Sequence, residues 1–74
     1  MATIEMRPDK NRIGLWWLYW TERNELIARI DQEPKGACRV TPHGPHWSPM
    51  KNFGEMYDSP TAAYREVNLY FERR

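Results

Sequence analysis

The stretch Ile13 to Trp20, reading Ile-Gly-Leu-Trp-Trp-Leu-Tyr-Trp, constrains this chain more than any other and holds three of its four tryptophans. A continuous apolar run of about eight residues bounded by turn-formers reads as a strand, because strands commonly run ~4 to 8 residues and helices at least ~10. Side chains on a strand alternate between faces. One face therefore carries Ile13, Leu15, Trp17 and Tyr19 and the other Gly14, Trp16, Leu18 and Trp20. A small domain with one covering layer buries only one of these sets, so large aromatics remain on the other side.

The segments after this run read as further strands. Leu26 to Gln32 alternates, with Leu26, Ala28 and Ile30 on one face and Ile27, Arg29 and Asp31 on the other, the pattern of a half-buried strand. Past a tip at Glu33, Pro34, Lys35 and Gly36, the segment Ala37 to Thr41 turns Cys38 and Val40 inward and Arg39 and Thr41 outward. Together these form an antiparallel meander. Opposed residues in a hairpin share a face, so loop parity sets the register. An even first loop, formed by Arg23 and Asn24 or by Glu22 to Glu25, opposes Tyr19 to Ala28 and Trp17 to Ile30. It sends Trp17 and Tyr19 to the core and leaves Trp16, Leu18 and Trp20 outside; an odd loop swaps the sets.

Residues 1–12 read as an N-terminal tail or short edge strand, with weak alternation at Ile4 and Met6 before the turn-formers Pro8 to Asn11. Pro42 to Pro49 holds three prolines and a glycine and reads as a stiff loop, neither helix nor interior strand. A short fourth strand is expected around Phe53 to Tyr57. Asp58, Ser59 and Pro60 then start a helix, with Ser59 as cap and Pro60 at the first helical position. From Thr61 to about Arg73 the spacing is helical. Ala63, Val67, Tyr70 and Phe71 share a stripe, Tyr64 and Leu69 flank it, and Thr61, Arg65, Asn68 and Glu72 lie opposite. The expected fold is α+β: a small two-layer sandwich in which an antiparallel meander of three or four strands carries one C-terminal helix on one face, residues 13–74 forming a single domain.

Composition narrows the function. Seventy-four residues make one small domain, and 11 Lys and Arg against 10 Asp and Glu leave a formal charge of +1. That balance exerts no strong pull toward nucleic acid or anionic membrane. The single cysteine, Cys38, excludes an internal disulfide and suits a reducing compartment. The central run is far short of the roughly 20 residues that span a bilayer. Arg7, Lys10 and Arg12 precede it as in a signal peptide, but the polar Thr21 to Glu25 follows where small residues would mark cleavage. A cytoplasmic location is expected.

No residue set points to catalysis. Cys38, His43 and His46 fall short of the four ligands, or three plus water, that zinc takes, and Cys38 alternates with Val40 as a small core residue does. The acidic residues are dispersed, and no phosphate loop or nucleophile elbow is present. Neither enzyme activity, nor a metal, nor a cofactor is expected. The surplus aromatic face points instead to binding, because Trp, Tyr and Arg are enriched at interface hot spots and contiguous apolar patches mark interaction sites. On the even-loop register the expected partner-binding residues are Trp16, Leu18, Trp20, Arg29 and Arg39, with Trp47 on the stiff loop. The partner would be a larger protein or a second copy in a homodimer, with the chain acting as a non-catalytic regulator or inhibitor. Short products of this type serve phages and mobile elements in modulating host proteins, an association of size and kind. The alternative is single-stranded nucleic acid stacked on Trp16 and Trp20, with Arg23, Arg29 and Arg39 at phosphates. Glu22, Glu25 and Asp31 nearby oppose it.

Overall fold

The computed structural model describes residues 3–46 and 56–72. Five strands, β1 (Ile4–Pro8), β2 (Leu15–Trp20), β3 (Glu25–Gln32), β4 (Cys38–Pro42) and β5 (Met56–Tyr57), form one antiparallel sheet in chain order, and the helix α1 (Pro60–Glu72) follows. Among the described residues the sheet has five strands where three or four were expected, because both flanking segments join the central meander as edges. Ile4 sits in the core, and its carbonyl accepts a 2.6 Å hydrogen bond from the Tyr64 hydroxyl of α1. At the other edge, Tyr57 pairs with Cys38 and Met56 with Arg39. The expected strand residues Phe53 to Glu55 lie outside the described residues.

The aromatic run begins its strand two residues later than expected. Asp9 and Leu15 close a turn through Asp9 N–H to Leu15 O at 2.9 Å, Asp9 Oδ2 accepts from Asn11 N–H, and Gly14 takes a φ of 86°. That left-handed backbone suits glycine, which lacks the Cβ that makes it strained. Ile13 is carried out of the strand and fully exposed. At the other margin, Pro42 ends β4 opposite Ala28 rather than starting an irregular loop. Gly44–His46 then forms one 3-10 turn.

Register is where structure and expectation part. The first hairpin loop is even: Trp20 pairs with Glu25 across four residues, with a 3-10 turn at Thr21–Arg23 and Asn24 at φ 48°. Tyr19 then pairs with Leu26, but Leu18 pairs with Ala28 and Trp16 with Ile30, because β3 carries an extra residue at Ile27. A bulge of this kind opposes two residues to one and shifts all pairing beyond it. Ile27 and Ala28, adjacent in sequence, are both fully buried. The even loop with its bulge thus produces the pairing of an odd loop. Leu18 is 0% exposed, and Trp16 and Trp20 pack against the core. Leu26 and Ile27 exchange the sides expected of them, while Ala28, Ile30, Cys38 and Val40 keep theirs.

The helix follows its sequence closely. Ser59 Oγ accepts from Ala62 N–H at 3.1 Å, satisfying one of the donors a helix N-terminus leaves open. Ala63, Val67 and Phe71 recur every fourth residue and are buried in one cluster with Ile4, Leu18, Ile27, Ile30, Cys38 and Val40 of the sheet. Trp20 meets Phe71 edge-on, with ring centroids 5.4 Å apart. Among the described residues no helix is long and apolar enough to cross a membrane.

Candidate functional site

The bulge assigns the second side of the sheet to Trp17 and Tyr19. Read across the strands, that face is built in rows. The first holds Glu5, Tyr19 and Leu26; the second Arg7, Trp17, Arg29 and Thr41; the third Leu15, Asp31, Arg39 and Met56. Rows along a strand stand about 7 Å apart, two residues of rise. The central row is basic, with Trp17 between two arginines, and acidic residues flank it on both sides.

These side chains contact one another. Arg7 presents Nε and one terminal nitrogen to the two carboxylate oxygens of Glu5, at 2.9 and 3.3 Å, while its guanidinium lies 4.4 Å from the Tyr19 ring centroid. Both contacts suit a planar, delocalised cation. The Arg7 hydrogen bonds hold the Glu5 carboxyl below its ordinary range. Arg29 pairs with Asp31 at 3.0 Å. The Trp17 indole N–H donates to Asp9 Oδ1 at 2.9 Å, and with the backbone of Asn11 it lowers the Asp9 pKa. A groove of about 300 Å³ beside Trp17 is lined by Arg29, Thr41, Pro42 and His43 as well.

The residues expected to bind a partner are divided by this geometry. Leu18 is inside, and Trp16 and Trp20 border the core on the helix side. Arg29 and Arg39 are exposed on the opposite side, and Trp47 lies outside the described residues. Arg23, the remaining arginine of the nucleic-acid alternative, covers the Trp20 ring at 4.1 Å. The expected patch thus does not converge, and the residues gathered on the open face are Trp17, Tyr19, Arg7, Arg29 and Arg39. Trp17 and Tyr19 were already visible as the other half of the strand's alternation; no local signal marked the bulge.

The histidines and the cysteine stand apart. Cys38 is fully buried, and desolvation raises its pKa, which keeps the thiol protonated and poorly nucleophilic. His43 is exposed, whereas His46 is buried with Nε2 3.5 Å from Glu25 Oε2 and its ring edge-on to Phe71. Among the described residues no three His, Cys, Asp or Glu side chains are grouped to hold a metal ion.

Fold and site define a small α+β domain: a five-stranded antiparallel meander, one C-terminal helix, and an aromatic cluster ringed by arginine and carboxylate. No protein-family model, no curated protein and no solved structure matches this chain.

Proposed function

We propose that this protein is a non-catalytic protein-binding module, a regulator or inhibitor that docks through the open sheet face. Helix and sheet form two layers, with one sheet face closed by α1 and the other presented to a partner in the cytoplasm. The observation that carries the reading is the register: Trp17 and Tyr19 project on the face away from α1, beside Arg7 and Arg29, each paired with a carboxylate, with the Arg7 guanidinium also over the Tyr19 ring. Aromatic side chains have few rotors to immobilise, and Trp, Tyr and Arg are the residue types that dominate interface energetics. Acidic residues interleave with the arginines, which opposes a phosphate backbone.

The test is affinity capture with the wild-type protein and with Trp17→Ser/Tyr19→Ser, at low and moderate salt, with and without nuclease. A protein partner retained after nuclease and at moderate salt, and lost with the double variant, is expected. Recovery that vanishes with nuclease would replace the reading by the nucleic-acid alternative. Capture indifferent to the two substitutions would remove the face from the function.

A further inference from the structure

His46 is the one buried polar residue among those described. Its Nε2 and the Oε2 of Glu25 lie 3.5 Å apart, both closed off from solvent, and neither has a hydrogen-bond partner. Unpaired polar atoms in an interior are costly and call for a reason. These two face each other across a gap that a single proton can bridge. We infer that His46 and Glu25 form a proton-operated clasp: a proton taken up by His46 closes the turn Gly44–His46 onto β3 and the end of α1, and its loss opens the contact. The same turn follows His43, whose side chain lines the groove beside Trp17, so the clasp sits behind one wall of the candidate site.

A neutral imidazole carries its proton on one ring nitrogen only. With the proton on Nδ1, the Nε2 lone pair opposes the carboxylate oxygen. The imidazolium has a proton on both nitrogens, so Nε2–H points at Glu25, and the charge-assisted bond it can form runs at about 2.7 to 2.9 Å, shorter than the open gap. The surroundings favour that charge. Among the described residues no other basic group forms an ion pair with Glu25. Arg23, the cation of the hairpin tip, lines the shallow groove beside Glu25 with His43, but its guanidinium is turned over the Trp20 ring at 4.1 Å. His43 is exposed. From α1 the Phe71 ring meets the imidazole edge-on at 5.9 Å, Tyr70 stands edge-on to Phe71, and Glu72 is exposed. Phe71 belongs to the last turn of the helix, where the helix dipole favours a cation.

Urea denaturation of the full chain at about pH 5.5 and about pH 7.5 tests the clasp, since histidine is the side chain whose charge ordinarily changes in that window. A proton held more tightly by the folded chain than by the unfolded one stabilises the fold at the acid end and is lost as pH rises. The wild-type unfolding constant should therefore be about tenfold smaller at the lower pH. Glu25→Gln removes the charge that the imidazolium faces and should abolish the difference. His46→Gln supplies a donor that does not titrate and should be equally stable at both pH values. His43→Gln, three residues away and exposed, should keep the wild-type difference. Equal wild-type constants at the two pH values, or a smaller one at the higher pH, would overturn the inference. So would a difference that survives Glu25→Gln, even where His46→Gln fails to fold, or one that disappears with His43→Gln.

Discussion

Single residues at the tip of the first hairpin show how local chemistry is used. Asn24 adopts φ 48° and ψ 46°, and its N–H closes the 3-10 turn on Thr21 O at 3.2 Å. Asparagine tolerates this left-handed region far better than a β-branched residue. Asn24→Gly should therefore change stability by only a few tenths of a kcal/mol, whereas Asn24→Val should cost about 1 to 2 kcal/mol in urea denaturation. Beside it, Glu22 ties Thr3, the residue before β1, to the hairpin by accepting from Thr3 N–H at 2.8 Å. Hydrogen bonds from Thr3, then from its own backbone and from Thr21, lower its pKa from 4.5 to about 2. A depressed carboxyl stabilises the fold above its unfolded pKa and loses that contribution as pH falls through the folded value. Wild type should thus weaken between pH 4.5 and about 2. Glu22→Gln should be less stable at neutral pH and flatter across that window, the two curves converging at its acid end.

At the scale of elements, α1 and the bulge of β3 play opposite parts. The helix declares itself locally: Ser59 caps it, Pro60 opens it, and Ala63, Val67 and Phe71 give the buried stripe. Ser59→Ala should cost about 1 kcal/mol, the usual worth of a cap. Val67 is completely buried between helix and sheet. Val67→Asp places an unpaired carboxylate there at a cost of several kcal/mol, comparable with the roughly 4 to 11 kcal/mol total expected of a chain this size. Thermal denaturation should find that variant largely unfolded, and a cooperative transition near the wild-type temperature would contradict the packing of α1. The bulge, by contrast, hides in a run of hydrophobic residues. Leu26, Ile27 and Ala28 suit either side of a sheet, and which one is left over depends on the strands beside them.

For the whole molecule, the decisive question is which aromatics support the fold and which serve the surface. Trp16 and Trp20 line the core margin, with Trp20 against Phe71. Trp17 and Tyr19 lie on the far side, where Asp9 and Arg7 engage them. Trp16→Ser/Trp20→Ser should remove about 2 to 6 kcal/mol of stability, given partly buried rings worth less than the ~3 to 5 kcal/mol of a fully buried one. Trp17→Ser/Tyr19→Ser should remain folded with a much smaller loss. Chemical denaturation of the two double variants side by side checks this, and the reverse order of stabilities would contradict the register.

Strand, turn and helix positions were largely legible along the chain because they follow from short-range physics. The aromatic run, the alternation from Ala28 to Asp31 and from Cys38 to Thr41, the glycine at the second tip and the Ser59 cap each act within a few residues. The N-terminal edge was only half legible, since Ile4 and Met6 show weak alternation and the contact that anchors them comes from Tyr64, sixty residues away. The candidate site was legible as a surplus of aromatics and illegible as a set of names. Alternation determined that Trp17 and Tyr19 travel together and that Trp16, Leu18 and Trp20 travel together. Which set faces the helix was decided in tertiary structure by one extra residue at Ile27. The strand period is two, so a one-residue shift exchanges the faces completely while leaving every local preference satisfied.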